Sequence, residues 1–158
     1  MSGILDNLRN KIINDTEESI SHVDMDDKIA LGVLLWAVAS SDSKFLDIEK
    51  EKIKETLIRY SKIKPEDIPF VLRLIQEADK ERIDLYTFTS EIVDHLGYPE
   101  RVSIIEDLFR IACVDRDLDE RELELIRDIS NLLHLSHHDF ITAKIKIKKE
   151  FGMDTFSV

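Results

Sequence analysis

The chain has 158 residues, of which 43% are hydrophobic and 35% are charged, and its formal net charge at pH 7 is −11. This length is typical of a single domain that buries enough surface to fold without disulfides. The single cysteine, Cys113, cannot form an internal disulfide and fits a reducing compartment. The negative charge argues against nucleic acid as a partner, because the phosphate backbone would be repelled. Cations and basic protein surfaces are the expected partners.

The sequence predicts no membrane-spanning segment. The longest apolar run, from Ile29 to Ala39, is shorter than the roughly 20 residues that a helix needs to cross a bilayer. Charged residues interrupt the apolar positions of the opening segment MSGILDNLRNK, so this segment is not predicted to be a signal peptide. We therefore expect a cytoplasmic protein.

Helices account for the whole predicted fold. The chain has only 4 Gly and 3 Pro, and its apolar residues recur at helical spacing. Pro65 and Pro99 suit the first turn of a helix, and Asp84, Asp119 and Ser136 are predicted N-caps. We predict an all-α fold without strands. In chain order, the first predicted helix is residues 4–13, and the second follows an acidic loop, begins at Asp26 or Asp27 and ends near Ser40–Asp42. The other six predicted helical segments are residues 47–62, 64–80, 84–97, 98–115, 119–134 and 136–151.

These segments are predicted to form one domain with an internal duplication. Residues 29–150 make up the domain, residues 1–28 form an N-terminal helix and acidic linker that pack on it, and residues 151–158 form a C-terminal tail. Leu35–Ala39 aligns with Leu108–Ala112, and we call the difference in residue number (108 − 35 = 73) the duplication offset. Solenoid repeats have shorter periods of about 20–50 residues, so we expect two pseudo-twofold halves instead. The two apolar helices are expected to cross at the centre.

Each half contains an acidic turn in which an Asp is followed seven positions later by a Glu (49 − 42 = 7 and 122 − 115 = 7). In the second turn, Asp119 and Glu122 have the spacing of a helix capping box, which explains both residues without a ligand. Asp115 is not explained in this way, because a carboxylate at a helix C-terminus is unfavourable unless amides or a cation compensate it. The favoured interpretation is a structural turn, and a cation site is the alternative.

A cation site at these turns would offer only oxygen ligands, which suit a divalent cation such as calcium or magnesium. The EF-hand pattern is excluded, because Glu120 and Ile126 stand where that loop needs glycine and glutamate. Asp47 is a further carboxylate in the first turn. The candidate metal ligands are Asp42, Glu49, Asp115, Asp117, Asp119 and Glu122.

Both turns also match, at every position except the glycine, a motif of the form Ala-x-x-Asp-Gly-x-hydrophobic-x-x-x-Glu, within LLWAVASSDSKFLDIEKEKI and LFRIACVDRDLDERELELI. With DLYTFTSEIVDHL, these segments resemble the stand-alone TerB-like proteins, relatives of the tellurite-resistance protein TerB, over Ile29 to Lys148. The resemblance implies an all-helical domain, a link to tellurite or other chemical stress, and a metal-binding role for the motif acids. The motif glycine is replaced by Ser43 and Arg116. If that position needs a positive φ, the replacement costs about 1 kcal/mol.

Other reactive or charged groups have structural interpretations. His134, His137 and His138 are predicted to be exposed around the start of the last helix, and Cys113 is predicted to be a buried structural thiol. The basic run KIKIKK at residues 144–149 is interpreted as a solvated face. Contact with an acidic partner or with membrane headgroups is the alternative for this run.

The sequence therefore favours a non-enzymatic binding module in a stress context, which acts as a protein-interaction scaffold through its acidic surface. The alternative function is weak binding or sensing of a divalent cation at the duplicated turns. We do not expect an enzyme, because neither Cys113 nor the histidines belong to a catalytic motif.

Overall fold

A computed structural model describes residues 22–41, 47–61, 64–80 and 84–155 of the chain. Within these ranges the fold is all-α, as predicted, and contains no strand. The helices are α1 (His22–Ser40), α2 (Asp47–Ser61), α3 (Ile68–Lys80), α4 (Leu85–His95), α5 (Tyr98–Ala112), α6 (Glu120–Leu132) and α7 (His137–Glu150), with a 3₁₀ helix at Pro65–Asp67. Seven of the eight predicted helices are thus confirmed, and the predicted helix at residues 4–13 lies outside the described residues.

Helix α1 begins earlier than the sequence suggested. It starts at His22, whereas the acidic stretch up to Asp27 was predicted to lead into the helix from a loop. No glycine or proline interrupts residues 22–28, so the helix can extend through them. Its C-terminus lies at Ser40, as predicted, where the Ser40 hydroxyl donates to the Trp36 carbonyl at 2.9 Å. None of the helices in the described ranges combines the length and the apolar character that crossing a bilayer requires.

Helix α1 is the centre of the core and contacts α2, α3, α4, α5 and α6. Its apolar residues are buried on almost every side, which explains why the run from Ile29 to Ala39 has so few polar positions. Gly32 permits the close approach of α3, because a Cβ atom at this position would lie 2.9 Å from the Ile75 Cγ1 atom. The second apolar helix, α5, packs against α1 as predicted and also contacts α2, α6 and α7.

The pattern of burial repeats between the halves at the predicted duplication offset. The repeat includes one charged pair, because Glu49 and Glu122 (122 − 49 = 73) are 3% and 2% exposed. The other buried pairs include Leu35 and Leu108, Val38 and Ile111, Ala39 and Ala112, Ile53 and Ile126, and Leu74 and Ile147. This register supports the duplication. Superposition of the two turns stays a prediction, because Asp42 and Ser43 lie outside the described residues.

Candidate functional site

The acidic turn between α5 and α6 is fully described, and its backbone explains one feature of the motif. Helix α5 ends at Ala112, and the Arg116 amide donates to the Cys113 carbonyl at 2.8 Å. Arg116 then adopts a left-handed conformation with φ of 63°. This is the position at which the motif has glycine, the residue that adopts a positive φ without steric cost. Arg116 therefore occupies a position that favours glycine.

The carboxylates of this turn hold its backbone and the start of α6. Asp119 is the N-cap of α6 and its Oδ1 atom accepts from the Arg121 amide at 2.7 Å, while the Glu122 Oε1 atom accepts from the Asp119 amide at 3.2 Å. The predicted capping box is thus confirmed. Asp115 also has a structural partner that the sequence did not indicate, because its Oδ1 atom accepts from the Asp117 amide at 3.1 Å.

The predicted metal ligands differ in their exposure. Asp115 and Asp117 are exposed and Asp119 is half-buried, whereas Glu122 points into the protein. In the first turn, Asp47 is exposed and Glu49 is buried, both in the first helical turn of α2. Across the described ranges, no group of three or more His, Cys, Asp or Glu side chains is arranged to hold a metal ion. Asp42 lies outside those ranges, and cation binding at the two turns stays a prediction.

A cavity of about 360 Å³ lies beside the second turn, between the turn and the end of α7. It is lined by Arg116, Asp117, Leu118, Lys148, Gly152, Met153 and Asp154. Lys148 is only 2% exposed, so the interpretation of the basic run as a solvated face is wrong for this residue. The duplication offset could have predicted this burial, because Lys148 aligns with the buried Ile75 (148 − 75 = 73).

Cys113 lies at the end of α5, next to the second turn, and is buried, as predicted. Burial raises the pKa of the Cys113 thiol to about 12, and the negative charges of Glu122 and Asp115 act in the same direction. The charge of Lys148 acts in the opposite direction and lowers this pKa, but by less than burial and Glu122 raise it. The thiol is therefore protonated near neutral pH, and a protonated thiol is a poor nucleophile.

The three histidines occupy positions around the α6–α7 connection and are exposed, as predicted. His134 has a positive φ of 62° and forms the C-terminal cap of α6, where the Leu135 amide donates to the Ser130 carbonyl at 3.1 Å. His137 stacks on Phe140 with ring centroids 6.0 Å apart. Ser136 caps α7 and accepts from the Asp139 amide at 3.1 Å. These contacts give His134 and His137 structural roles.

A second acidic feature, which the sequence analysis did not single out, lies on the exposed side of α6. Glu120, Glu124 and Asp128 follow each other at intervals of four residues and line a shallow groove of about 470 Å³. Arg121 and Leu125 also line it, and the Glu124 carboxylate is paired with Arg127 on the same helix. The four-residue spacing was the signal in the sequence, because it places side chains on one face of a helix. We call this surface the α6 acidic face.

Comparison with known protein families identifies one match. The model of the TerB family, described as tellurite resistance protein TerB, matches residues 28–145. Neither the curated proteins nor the solved structures contain a match to the chain. The matched residues include all of α2 to α6, most of α1, residues 137–145 of α7 and both acidic turns. Because the match covers most of the chain and agrees with its all-helical fold, the chain belongs to the TerB family.

Proposed function

We propose that this protein is a non-enzymatic binding module that acts in the cytoplasm in the response to tellurite or related chemical stress. In this proposal it serves as a scaffold that binds a basic protein surface. The stress context rests on the description of the family. The observation that carries the binding function is the α6 acidic face, where Glu120, Glu124 and Asp128 line one groove.

The geometry of this face suits a basic helix or extended segment. Residues four apart on a helix are separated by about 6 Å along its axis, so the three carboxylates form a row about 12 Å long. Lys or Arg side chains at the same spacing on a partner would face them, and Leu125 offers an apolar contact in the same groove. Exposed charges of this kind set the rate and the specificity of association more than its strength. We therefore expect binding that weakens as salt is added.

The non-enzymatic part of the proposal rests on the reactive side chains. Cys113 is buried with a raised pKa, which opposes a role as a nucleophile. His134 and His137 serve in a helix cap and in a ring contact, respectively. These environments are typical of structural residues.

The test is titration of the protein, at low and at physiological salt, with a cationic helical peptide that has Lys at every fourth position and Ala elsewhere. The variant Glu120→Gln/Glu124→Gln/Asp128→Asn should weaken binding by more than tenfold. A matched control, Glu55→Gln/Glu66→Gln/Asp94→Asn, removes the same charge from exposed positions on α2, the 3₁₀ helix and α4. We expect the control to bind within a factor of about two of wild type. Equal losses in the two variants would mean that only net charge matters, and would refute a specific acidic face.

The second candidate function is weak binding or sensing of a divalent cation through the duplicated turns, and Glu49 and Glu122 favour it. Both glutamates are buried at equivalent positions in the two halves. The capping box at Asp119 explains Glu122, but it does not explain why Glu49 is also buried. Oxygen ligands on surface turns predict calcium or magnesium with dissociation constants no tighter than about 10⁻⁴ M. Zinc should not be preferred, since its tight sites use nitrogen and sulfur. Calorimetric titration of chelator-treated protein with calcium, magnesium, manganese and zinc tests this function, and micromolar zinc binding would contradict it.

A further inference from the structure

Lys148 is buried, whereas the lysines nearest to it on α7 are exposed. It follows Ile147 on the inner side of α7 and is 2% exposed, whereas Lys146 and Lys149 are exposed. Burying an ammonium group in a protein is unfavourable unless opposite charges and hydrogen bonds compensate the loss of water. The Lys148 side chain must therefore lie among groups that stabilise a positive charge.

Acidic residues from the second turn and from the segment after α7 lie near Lys148. Asp117 lines the same cavity as Lys148, together with Asp154 from the residues after α7. Asp115 and Glu122 lie close enough to the Cys113 thiol to change its pKa, and so does Lys148, with the opposite sign. Glu122 is a buried carboxylate and Lys148 a buried cation. The end of α5, the start of α6 and α7 thus bring buried charges of both signs to one place.

The α7 backbone fixes Lys148 in this position. The Met153 amide donates to the Lys148 carbonyl at 2.8 Å, and Gly152 adopts the positive φ of 66° that this C-terminal cap requires. Met153 packs against the core next to this cap. The chain after α7 therefore closes over the lysine and does not leave it at a frayed helix end.

We propose that the Lys148 ammonium group is the resident cation of the second acidic turn, which therefore does not take up a divalent cation. The inference rests on the second candidate function for the role of the acids and narrows it, because only the first turn is left to bind a divalent cation. In the first half the equivalent position is Ile75, which is fully buried and carries no charge. The two turns of the duplication are thus not equivalent. The second turn receives a positive charge from Lys148, whereas the first turn has no lysine at the equivalent position.

The first arm of the test compares Lys148→Met with Lys149→Met, which removes the same charge from the adjacent exposed position. Loss of a buried charge partner is strongly destabilising, so we expect Lys148→Met to lower the Tm by about 10 °C. Lys149→Met should change the Tm by no more than about 1 °C. The double variant Lys148→Met/Glu122→Gln should melt above Lys148→Met, because it removes the uncompensated carboxylate while Gln keeps an acceptor for the Asp119 amide. Equal Tm values for the two single variants, or additive losses in the double variant, would overturn the proposal.

The second arm adds calcium at millimolar concentration to wild type and to Asp115→Asn. We expect either no rise in Tm or a rise that is the same in both proteins, and a rise that Asp115→Asn abolishes would overturn the proposal. If Lys148→Met does not fold, NMR of the wild-type protein takes the place of the melting comparison and measures the ammonium resonance of Lys148. This resonance should be protected from exchange and should shift in Asp115→Asn, and rapid exchange like that of Lys149 would contradict the proposal. Peptide binding to the α6 acidic face does not depend on Lys148, so the two proposals fail independently.

Discussion

Single side chains explain why the acidic turn after α5 looks like a ligand site and yet functions as a helix junction. Asp119 and Glu122 satisfy backbone amides at the start of α6, and Asp115 satisfies the amide of Asp117. Amide donors are the usual compensation for a carboxylate near the negative end of a helix dipole. Arg116 holds the left-handed conformation that turns the chain. Each residue thus has a local partner or a local conformational role.

The capping role of Asp119 predicts a specific loss of stability. Asp119→Ala removes the acceptor for the Arg121 amide and should lower the free energy of unfolding by about 1 kcal/mol. Asp115→Asn is the matched control, because asparagine keeps a side-chain oxygen that can accept from the Asp117 amide. It should change stability by less than about 0.5 kcal/mol. Urea denaturation of both variants measures the difference, and losses of the same size would contradict the capping role.

The positive φ of Arg116 predicts that restoring the glycine of the motif stabilises the protein. The left-handed conformation costs a side-chain-bearing residue about 1–2 kcal/mol, and glycine loses about 0.5–1 kcal/mol more backbone entropy on folding. Arg116→Gly should therefore raise the free energy of unfolding by roughly 0.5–1 kcal/mol. Arg121→Gly, in the first turn of α6, should lower it. Equal destabilisation by both substitutions in urea would show that Arg116 is not strained.

At the scale of helices, the contact between α5 and α7 positions the second turn. Arg110 on α5 bonds both carboxylate oxygens of Glu150 on α7, at 3.0 and 2.9 Å, and also contacts the buried Asp107 at 2.9 Å. The rings of Phe109 and Phe140 pack 5.5 Å apart between the same two helices. This contact keeps α7, and with it Lys148, against the acidic turn.

The pairing of Arg110 with Glu150 predicts a dependence of stability on pH. The bond to Arg110 lowers the pKa of Glu150 below its ordinary value in the folded protein. A group with a lowered pKa contributes stability above its unfolded pKa and loses it as the pH falls through the folded pKa. Wild type should therefore lose more stability than Glu150→Gln as the pH falls below about 5. The difference should stay below about 1 kcal/mol, because the Glu150 side chain is 42% exposed.

Urea titrations of wild type and Glu150→Gln at several pH values between neutral and acidic conditions measure this effect. Glu55→Gln, at an exposed carboxylate on α2, is the control and should follow the wild-type pH profile. If Glu150→Gln also follows that profile, the ion pair with Arg110 does not contribute to folding.

At the scale of the whole molecule, the sequence predicted what depends on local pattern and missed what depends on distant contacts. The caps Asp84, Asp119 and Ser136 are read from short spacings, because their hydrogen bonds close within a few residues. The burial of Lys148 and of Asp107 depends on helices packed from elsewhere in the chain. The duplication offset carried this information, since both residues align with buried apolar residues, Ile75 and Leu34 (148 − 75 = 73 and 107 − 34 = 73).

The family match and the fold describe the same molecule, an all-helical domain of the TerB family. The buried acids Glu49 and Glu122 belong to the scaffold, and the row on α6 faces solvent. The net charge of −11 favours a basic partner for any part of this surface. The α6 acidic face combines negative charge with a groove.

Chemical-shift mapping of the isotope-labelled protein with the cationic Lys and Ala peptide tests the central claim most directly. We predict that the largest amide shifts fall on Glu120, Glu124 and Asp128 and on their neighbours along α6, and that they disappear when salt is raised. Shifts spread evenly over all exposed carboxylates, or concentrated on a helix other than α6, would contradict the claim that this protein binds basic partners through α6.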